Sequence, residues 1–526
     1  MSVGTLTPEF EREGAARARG RAITGPIAIL GALTALAAAL RLIGLARQGL
    51  WFDEANTAHL VHLAPGRMLG LIPRYESTPP LYYMVAWPWA HIFGYGEAGL
   101  RSLSALAGVA SVPVAFAAGA KLISRRAGLI AAALTACNPF LIWYSQEARS
   151  YALLVLLTGG SLWAFAYVRD RPSRRWLVAW VLSSGLALAT HYYAMLVVVP
   201  EALWLLVCHR RRREVHAAIG VVALCGLALI PLAISQQGTG HASWIAPVSL
   251  SLRLGQLPQH FLVGTGAPAA GWLKLAGGLA AALALALAVW RAPAPERGGV
   301  RLAAVFVLAG LVINLVLVAV GVDDLITRNV IALWPPALFV LAGGFGAARA
   351  GVLGLLGAAG LCAVGIAAAV GVAADWKLQR PDWRPVAQAI QAAPLGAGAP
   401  SSAAGAHAVL IQRYKALLPL ALYVPRLGVV SSRGRVVDEL DVLAFEGYSG
   451  DPFCWWGAAC NLVRSKLDTT LTIPGFRRVG PPRRFHEFSL LRLRAATPTL
   501  LTPHMVARAL TTTTLRRDEL LYVPGR

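Results

Sequence analysis

Long apolar runs separated by short polar bursts fill most of the first 373 residues. The first, Ile23 to Leu45, carries one charge, Arg41, close to its end. An α-helix needs about 20 such residues to cross the hydrocarbon of a bilayer. Similar runs recur near Gly99–Leu122, Gly128–Ile142, Leu153–Val168, Trp176–Ala189 and Ala194–Cys208. Others fall near Ala217–Ile234, Trp272–Trp290, Leu302–Val320, Val330–Phe345 and Val352–Ala373, so about eleven spans are expected. The first run is too long for a cleaved signal core and no small-residue cleavage site stands out after it, so it is read as a retained span.

From Asp375 onward the apolar runs shorten and turn residues multiply, as in GAGAPSSAAGAH and PGFRRVGPPRR. A helical stretch around Pro385–Gln391 precedes strand-like HAVLI, helix-like RYKALLPLALYV, and strand-like LGVVSS and FHEFSLLRLR. Such alternation predicts a small α/β domain. The expected fold class is therefore a polytopic α-helical membrane protein with a small C-terminal extracytoplasmic α/β domain. Its parts are a basic cytoplasmic N-terminus (1–22), a transmembrane domain (23–373) whose first outer loop covers 46–98, and the C-terminal domain (374–526). No internal repeat is visible.

Composition supports the membrane reading. The chain is 57% hydrophobic and 14% charged, with a mean hydropathy of +0.59, more apolar than a soluble core of this size can hide. The net charge of +23 does not point to nucleic acid, because of where it sits. Basic residues gather between runs, in RARGR at Arg17, KLISRR at Lys121, RDRPSRR at Arg169, HRRRR at His209 and RAPAPERGGVR at Arg291. Short loops rich in Lys and Arg stay cytoplasmic. That rule gives a consistent alternation with the N-terminus inside and the C-terminus outside.

The same alternation puts the unusual polar residues on the opposite face. LWFDEANTAHLVHL, from Leu50, places Asp53 and Glu54 in the first outer loop, and WYSQEARSYA places Glu147 and Arg149 in the second. THYYA places His191 and Tyr192 at an outer helix end, and VDDLITRN places Asp323, Asp324 and Arg328 in a later outer loop. Ionisable groups at membrane depth are costly and usually functional. Carboxylates from separate loops, a His/Tyr pair and an Arg suit transfer of a group from an anionic lipid carrier. A carboxylate can take the proton of an attacking hydroxyl, and an Arg can hold a departing phosphate. No Gly-rich phosphate loop lies in a strand–helix context, so the donor must already be in the membrane.

Each residue also has a plainer reading. Asp53 and Glu54 can cap a helix N-terminus, and Glu147 can pair locally with Arg149. His191 can be a satisfied helix-end histidine or a ligand. Arg328 can contact phosphate or snorkel, and Arg41 is expected to snorkel to the outer interface, with a donor-phosphate contact as the alternative. The PPLYY and WPW aromatics are expected to form an interfacial belt. RRVGPPRRF suits either anionic headgroups or solvent. No metal-ligand spacing is present.

In order along the chain, FDEA, ESTPPLYYMVAWPWAHIFG, GLRSLSALAG and NPFLIWYSQEARSYAL resemble the GT-C glycosyltransferases. The resemblance extends to the branch of bacterial lipid A and lipopolysaccharide-type sugar transferases and the dolichyl-phosphate-mannose protein mannosyltransferases. ITRNVIALWPP is similar to the family's Arg-Tyr element, with Asn329 where Tyr is usual, and RPDWRPVAQAI to an Asp-Trp-Arg element opening the outer domain. The match is good from Arg41 to about Ala152 and patchy to Val386. It implies that Asp53 is the general base toward the acceptor, with Glu54, Glu147, Arg149, His191, Tyr192 and Arg328 supporting or binding substrate.

It further implies an inverting transferase of the bacterial inner membrane, facing the periplasm. Its donor would be a polyprenyl-phosphate sugar and its acceptor a cell-envelope glycolipid or glycan, with protein O-mannosylation as the alternative. Membrane lipids are the remaining expected partners and nucleic acid is not one. The resemblance leaves two alternatives open, a reaction without a cofactor or one with a divalent cation held by carboxylates, which some members of the family use. A transporter or flippase would instead show midplane charges, paired broken helices and an internal repeat.

Among the six cysteines, Cys454 and Cys460 share the outer domain, where an oxidising compartment predicts a disulfide. The arginine bursts generate a topology prediction. A reporter active only in the cytoplasm should work when fused after Arg213 or Arg297 and fail after Thr239 or Asp375. A cytoplasmic signal from Asp375 would overturn the assigned sidedness.

Overall fold

The computed structural model describes residues 8–268, 271–392, 407–411, 416–445, 471–485, 488–511, 515 and 519–523. Cys454 and Cys460 lie outside the described residues. The chain forms two compact units, one of residues 1–45 and 63–371, the other of 46–62 and 372–526.

The first unit is helical. It contains α1 (Pro8–Leu42), α3 (Pro65–Tyr75), α4 (Leu81–Phe93), α5 (Glu97–Leu122), α6 (Arg125–Cys137), α7 (Pro139–Ser145) and α8 (Tyr151–Asp170). It continues with α9 (Arg174–Thr190), α10 (Met195–Cys208), α11 (Arg213–Ala228), α12 (Ile230–Gln237), α13 (Leu250–Val263) and α14 (Gly271–Trp290). Then come α15 (Ala294–Ala319), α16 (Trp334–Phe345) and α17 (Gly351–Ala374). The second unit contributes α2 (Phe52–Val61), so the chain passes through it between α1 and α3.

Each apolar stretch expected from hydropathy is a helix or a broken helix pair. Among the described residues seven helices are long and apolar enough to cross a bilayer, and α6 with α7, bent by 58°, makes an eighth if counted as one span. The remaining three, α9, α10 and α16, are shorter at 17, 14 and 12 residues. This is a multi-pass membrane protein.

Close helix approach rests on small residues, as expected where lipid supplies no hydrophobic drive between helices. At Gly344 of α16 the backbone of α14 comes so near that a Cβ would collide with the Ala284 carbonyl. The α6–α7 break has a local cause. Asn138 caps α7, its Oδ1 accepting from Leu141 N at 3.0 Å, and Pro139 occupies the first helical position. Pro139 has no N–H to continue α6, so the last carbonyls of α6 need another donor. Arg41 supplies it. Its guanidinium donates to Thr135 O at 2.8 Å and Ala136 O at 2.9 Å, and Arg41 is 0% exposed. The expectation that Arg41 snorkels is therefore wrong: a helix break inside the bundle offers it better acceptors than the interface does.

The second unit is α/β, as the sequence pattern predicted. Its strands are β1 (His407–Ile411), β2 (Gly428–Val429), β3 (Arg435–Phe445), β4 (Phe476–Arg478), β5 (Arg483–Arg484), β6 (Phe488–Leu501) and β7 (Leu520–Val523). They form one mixed sheet in the order β2-β7-β1-β3-β6-β4, with β5 also on β6. Helices α18 (Trp383–Gln391) and α19 (Leu417–Ala421) cover one face and α20 (Pro503–Ala509) the other. Alternation along β1 explains this: Val409 and Ile411 pack with Trp383, Ile390 and Leu420, whereas Ala408 and Leu410 pack with Val506. Across β3 and β6, Asp441 faces Arg492 and accepts two hydrogen bonds, at 2.7 and 2.8 Å.

Because the Gly344 contact is backbone against backbone, Gly344→Ala should lower stability by about 1–3 kcal/mol through overpacking. The check is thermal unfolding of the purified protein in detergent; an unchanged midpoint would mean that α14 and α16 can separate freely.

Candidate active site

The helical unit gathers most of the expected polar residues around one buried network. The α6–α7 break aims the turn after α7, which carries Glu147 and Arg149, both buried. Gln146 anchors that turn by donating to the Leu40 and Arg41 carbonyls at 3.2 and 3.4 Å. Ser145 accepts from Arg41 Nε at 3.3 Å, and Gly108 of α5 leaves room for the pair.

Arg149 makes a two-pronged pair with Glu76, both N···O distances being 2.8 Å. Neither side chain is more than 9% exposed, so each charge depends on the other. Where the sequence suggested a local carboxylate, Glu147, the structure gives Arg149 a long-range one, Glu76, from the segment after α3. Arg149 also lies over the Tyr83 ring at 6.0 Å, and its carbonyl accepts from Ser104 Oγ at 3.0 Å. Tyr192 donates to Gln236 Oε1 at 2.7 Å, and Gln236 Nε2 donates to Thr78 O at 3.0 Å. The turn after α9 is thereby tied to α12 and to the Glu76–Thr78 segment.

His191 sits in that turn, 3% exposed. Its Nδ1 accepts from Tyr193 N at 3.2 Å, which leaves the ring proton on Nε2. Burial, with the charges of Arg149 and Arg328, pushes its pKa down to about 3, so it is a neutral imidazole at any physiological pH. Arg328 belongs to the loop between α15 and α16 and lies over the Trp244 ring at 5.7 Å. Arg253 and His260 of α13 hold that loop. Arg253 pairs with both Asp323 oxygens, at 2.6 and 2.9 Å, and donates to Leu325 O at 3.0 Å. His260 Nδ1 lies 2.8 Å from Thr327 Oγ1. The Arg253 guanidinium holds the Asp323 carboxyl below its usual range, whereas burial and the Asp323 charge push Asp324 up.

Asp53 and Glu54 lie in the second unit, in the first turn of α2. They are not equivalent. Glu54 is fully buried, and its carboxylate reaches back to accept from Trp51 N at 3.4 Å, a long, one-sided cap, since the Trp51 indole has no acceptor to return it. Asp53 is partly exposed. The capping explanation therefore fits Glu54, whereas Asp53 is only partly buried.

Four residues of these networks escaped the reading of the sequence. Glu76 stood inside the ESTPPLYY stretch, so an acidic residue near two prolines was a usable signal. Glu201, a carboxylate inside the expected span Ala194–Cys208, was another, whereas Gln236 and Arg253 gave none, since their partners are distant in sequence. Glu201 lies inside α10, fully buried, and accepts from Trp180 Nε1 at 2.8 Å and Ser161 Oγ at 3.1 Å. Among the described residues no three of His, Cys, Asp or Glu converge to hold a metal ion.

This architecture has counterparts among known proteins. A family model, dolichyl-phosphate-mannose-protein mannosyltransferase, matches residues 77–235. ArnT from Cupriavidus metallidurans bound to undecaprenyl phosphate superposes with a TM-score of 0.51 at 14% identity, covering 88% of this chain and 97% of that one. The fold is that of the GT-C glycosyltransferases. Weaker similarity extends to the Archaeoglobus fulgidus oligosaccharyltransferase with a tethered acceptor peptide, at TM-score 0.43 and 10% identity, covering 70% of this chain and 57% of that one. The S. cerevisiae Pmt1-Pmt2 complex bound to the sugar donor gives 0.32 and 15%, covering 41% of this chain and 34% of that chain. This chain thus spans about a third of the length of the yeast chain. No curated protein sequence matches it significantly.

The Arg149–Glu76 pair generates a stability prediction. Glu76→Ala leaves a buried guanidinium without its carboxylate and should cost about 3–5 kcal/mol. Thermal unfolding in detergent checks this, and a midpoint equal to that of the unaltered protein would refute the pair's importance.

Proposed function

We propose that this GT-C protein transfers a sugar from a polyprenyl-phosphate donor to a cell-envelope glycolipid or glycan, on the outer face of a bacterial inner membrane, with inversion at the anomeric carbon. The acceptor hydroxyl attacks that carbon and gives its proton to Asp53. The bond from the carbon to the lipid-phosphate oxygen breaks, and its electron pair leaves with the phosphate. Arg328 steadies the growing negative charge by charge-assisted hydrogen bonds. Neutral His191 adds no competing charge and can donate from Nε2. Arg149, already paired with Glu76, and Tyr192, bonded to Gln236, keep the polar turns of the helical unit in place. Glu54 keeps α2 in register through its cap.

The observation that carries this reading is the contrast on α2, where Glu54 is fully buried and reaches back to cap the helix while the adjacent Asp53 is partly exposed. The fold-wide likeness to a protein crystallised with undecaprenyl phosphate supports a lipid-phosphate donor. The mannosyltransferase family match over residues 77–235 favours a second reading, in which the acceptor hydroxyl belongs to a protein.

General-base catalysis contributes roughly 10²–10⁴-fold, or about 3–5 kcal/mol of barrier. Asp53→Asn should therefore lose turnover by that factor while donor affinity changes little. Glu54→Gln, which can still accept at the cap, should be milder. Arg328→Ala should show the reverse pattern, raising the KM for donor more than it lowers kcat. Purified protein with a labelled polyprenyl-phosphate sugar measures all three. Full turnover by a well-folded Asp53→Asn enzyme would remove Asp53 from the mechanism.

A further inference from the structure

The six residues from Ala46 to Trp51, which lead directly into α2, are each held by the C-terminal domain. Arg384 donates from Nη1 to Ala46 O at 2.9 Å and from Nη2 to Arg47 O at 2.6 Å. Gln48 and Gln379 share a short side-chain hydrogen bond. At Gly49 a Cβ would lie 2.5 Å from Asp382 Oδ1 and 3.2 Å from the Tyr423 hydroxyl, so the backbone is pressed against both. Leu50 N donates to that hydroxyl at 2.8 Å. Arg380 lies over the Trp51 ring at 5.8 Å.

The Asp-Trp-Arg tripeptide makes this grip rigid. Asp382 Oδ1 caps α18 by accepting from Arg384 N at 3.0 Å, and Oδ2 accepts from Arg384 Nη2 at 2.7 Å. Trp383, between them, is 3% exposed in the core with Val386 and Ile390. Tyr423 is fixed in turn, because its carbonyl accepts from Gln391 Nε2 at 2.9 Å. Helix α19 packs directly on α2. A flexible surface loop would show none of this redundancy, since each ordered residue costs about 1–2 kcal/mol of backbone entropy.

We propose that the C-terminal domain acts as the seat of the Asp53 helix, with Asp382, Arg384 and Tyr423 as positioning residues that set where the carboxylate points. The proposal rests on the reading of Asp53 as the base. The domain would then hold a reacting group to within the fraction of an ångström that catalysis needs.

Hydrogen exchange of the full-length protein in detergent reads the seat without reference to activity. Arg384→Gln and the gentler Tyr423→Phe should raise exchange of 46–62 about tenfold while leaving β1 and α8 unchanged. Turnover should fall roughly 10–100-fold with donor KM within about twofold. Arg384→Lys, which cannot span two adjacent carbonyls with a planar fork, should recover part of the loss. Added to Asp53→Asn, either change should cost nothing further, because both act through the same carboxylate. Normal exchange at 46–62, or losses that multiply with Asp53→Asn, would overturn the seat while Asp53 remains the base. An active Asp53→Asn enzyme would instead remove the premise, whatever the exchange shows.

Discussion

Backbone carbonyls inside an apolar bundle must find donors, and in this protein the break after Cys137 makes that constraint acute. Arg41 meets it by donating to Thr135 and Ala136, and Gln146 answers by donating to the end of α1. This exchange fixes the turn carrying Glu147 and Arg149. From there the order spreads to Glu76 through the paired guanidinium, and through the Thr78 carbonyl and Gln236 to Tyr192. Without the break, α6 and α7 would run on as one helix and no polar turn would lie at that level.

Buried ion pairs in this unit serve geometry more than stability, since desolvation offsets much of their attraction. Arg149–Glu76 and Arg253–Asp323 are both two-pronged, which fixes orientation as well as distance. Each ties a loop to a helix or segment far away in sequence. The second holds the loop of Arg328, and the asymmetry it creates between Asp323 and Asp324 is electrostatic: one carboxylate has a guanidinium and the other has burial and a like charge.

Much of the architecture was legible in the chain. Runs of about 20 apolar residues can do little except span, so the long apolar helices of the first unit followed from hydropathy, whereas α3, α4 and α13 lie in stretches read as loops. The strand-like run HAVLI is a strand, and its two faces pack against different helices. The site was less legible. Asp53, Glu147, His191 and Arg328 stood out because charge is rare in such a sequence, but Glu76 and Arg253 acquire meaning through partners 73 and 70 residues away. Arg41 was misread for the same reason: sequence marks a charge near a helix end, and cannot show that a neighbouring helix is broken beside it.

Sequence by itself determined that this chain is a multi-pass membrane protein with an α/β appendage, because period and length of apolar runs are local properties set by bilayer thickness and strand pleat. It also marked Asp53 and Glu54 as a pair worth explaining. Tertiary structure decided which of the two is spent as a helix cap, which compact unit carries them, and that the Asp-Trp-Arg tripeptide grips the segment ahead of them. The last of these depends on hydrogen bonds between residues more than 300 positions apart, as from Arg384 to Ala46, and no local pattern encodes such a pairing.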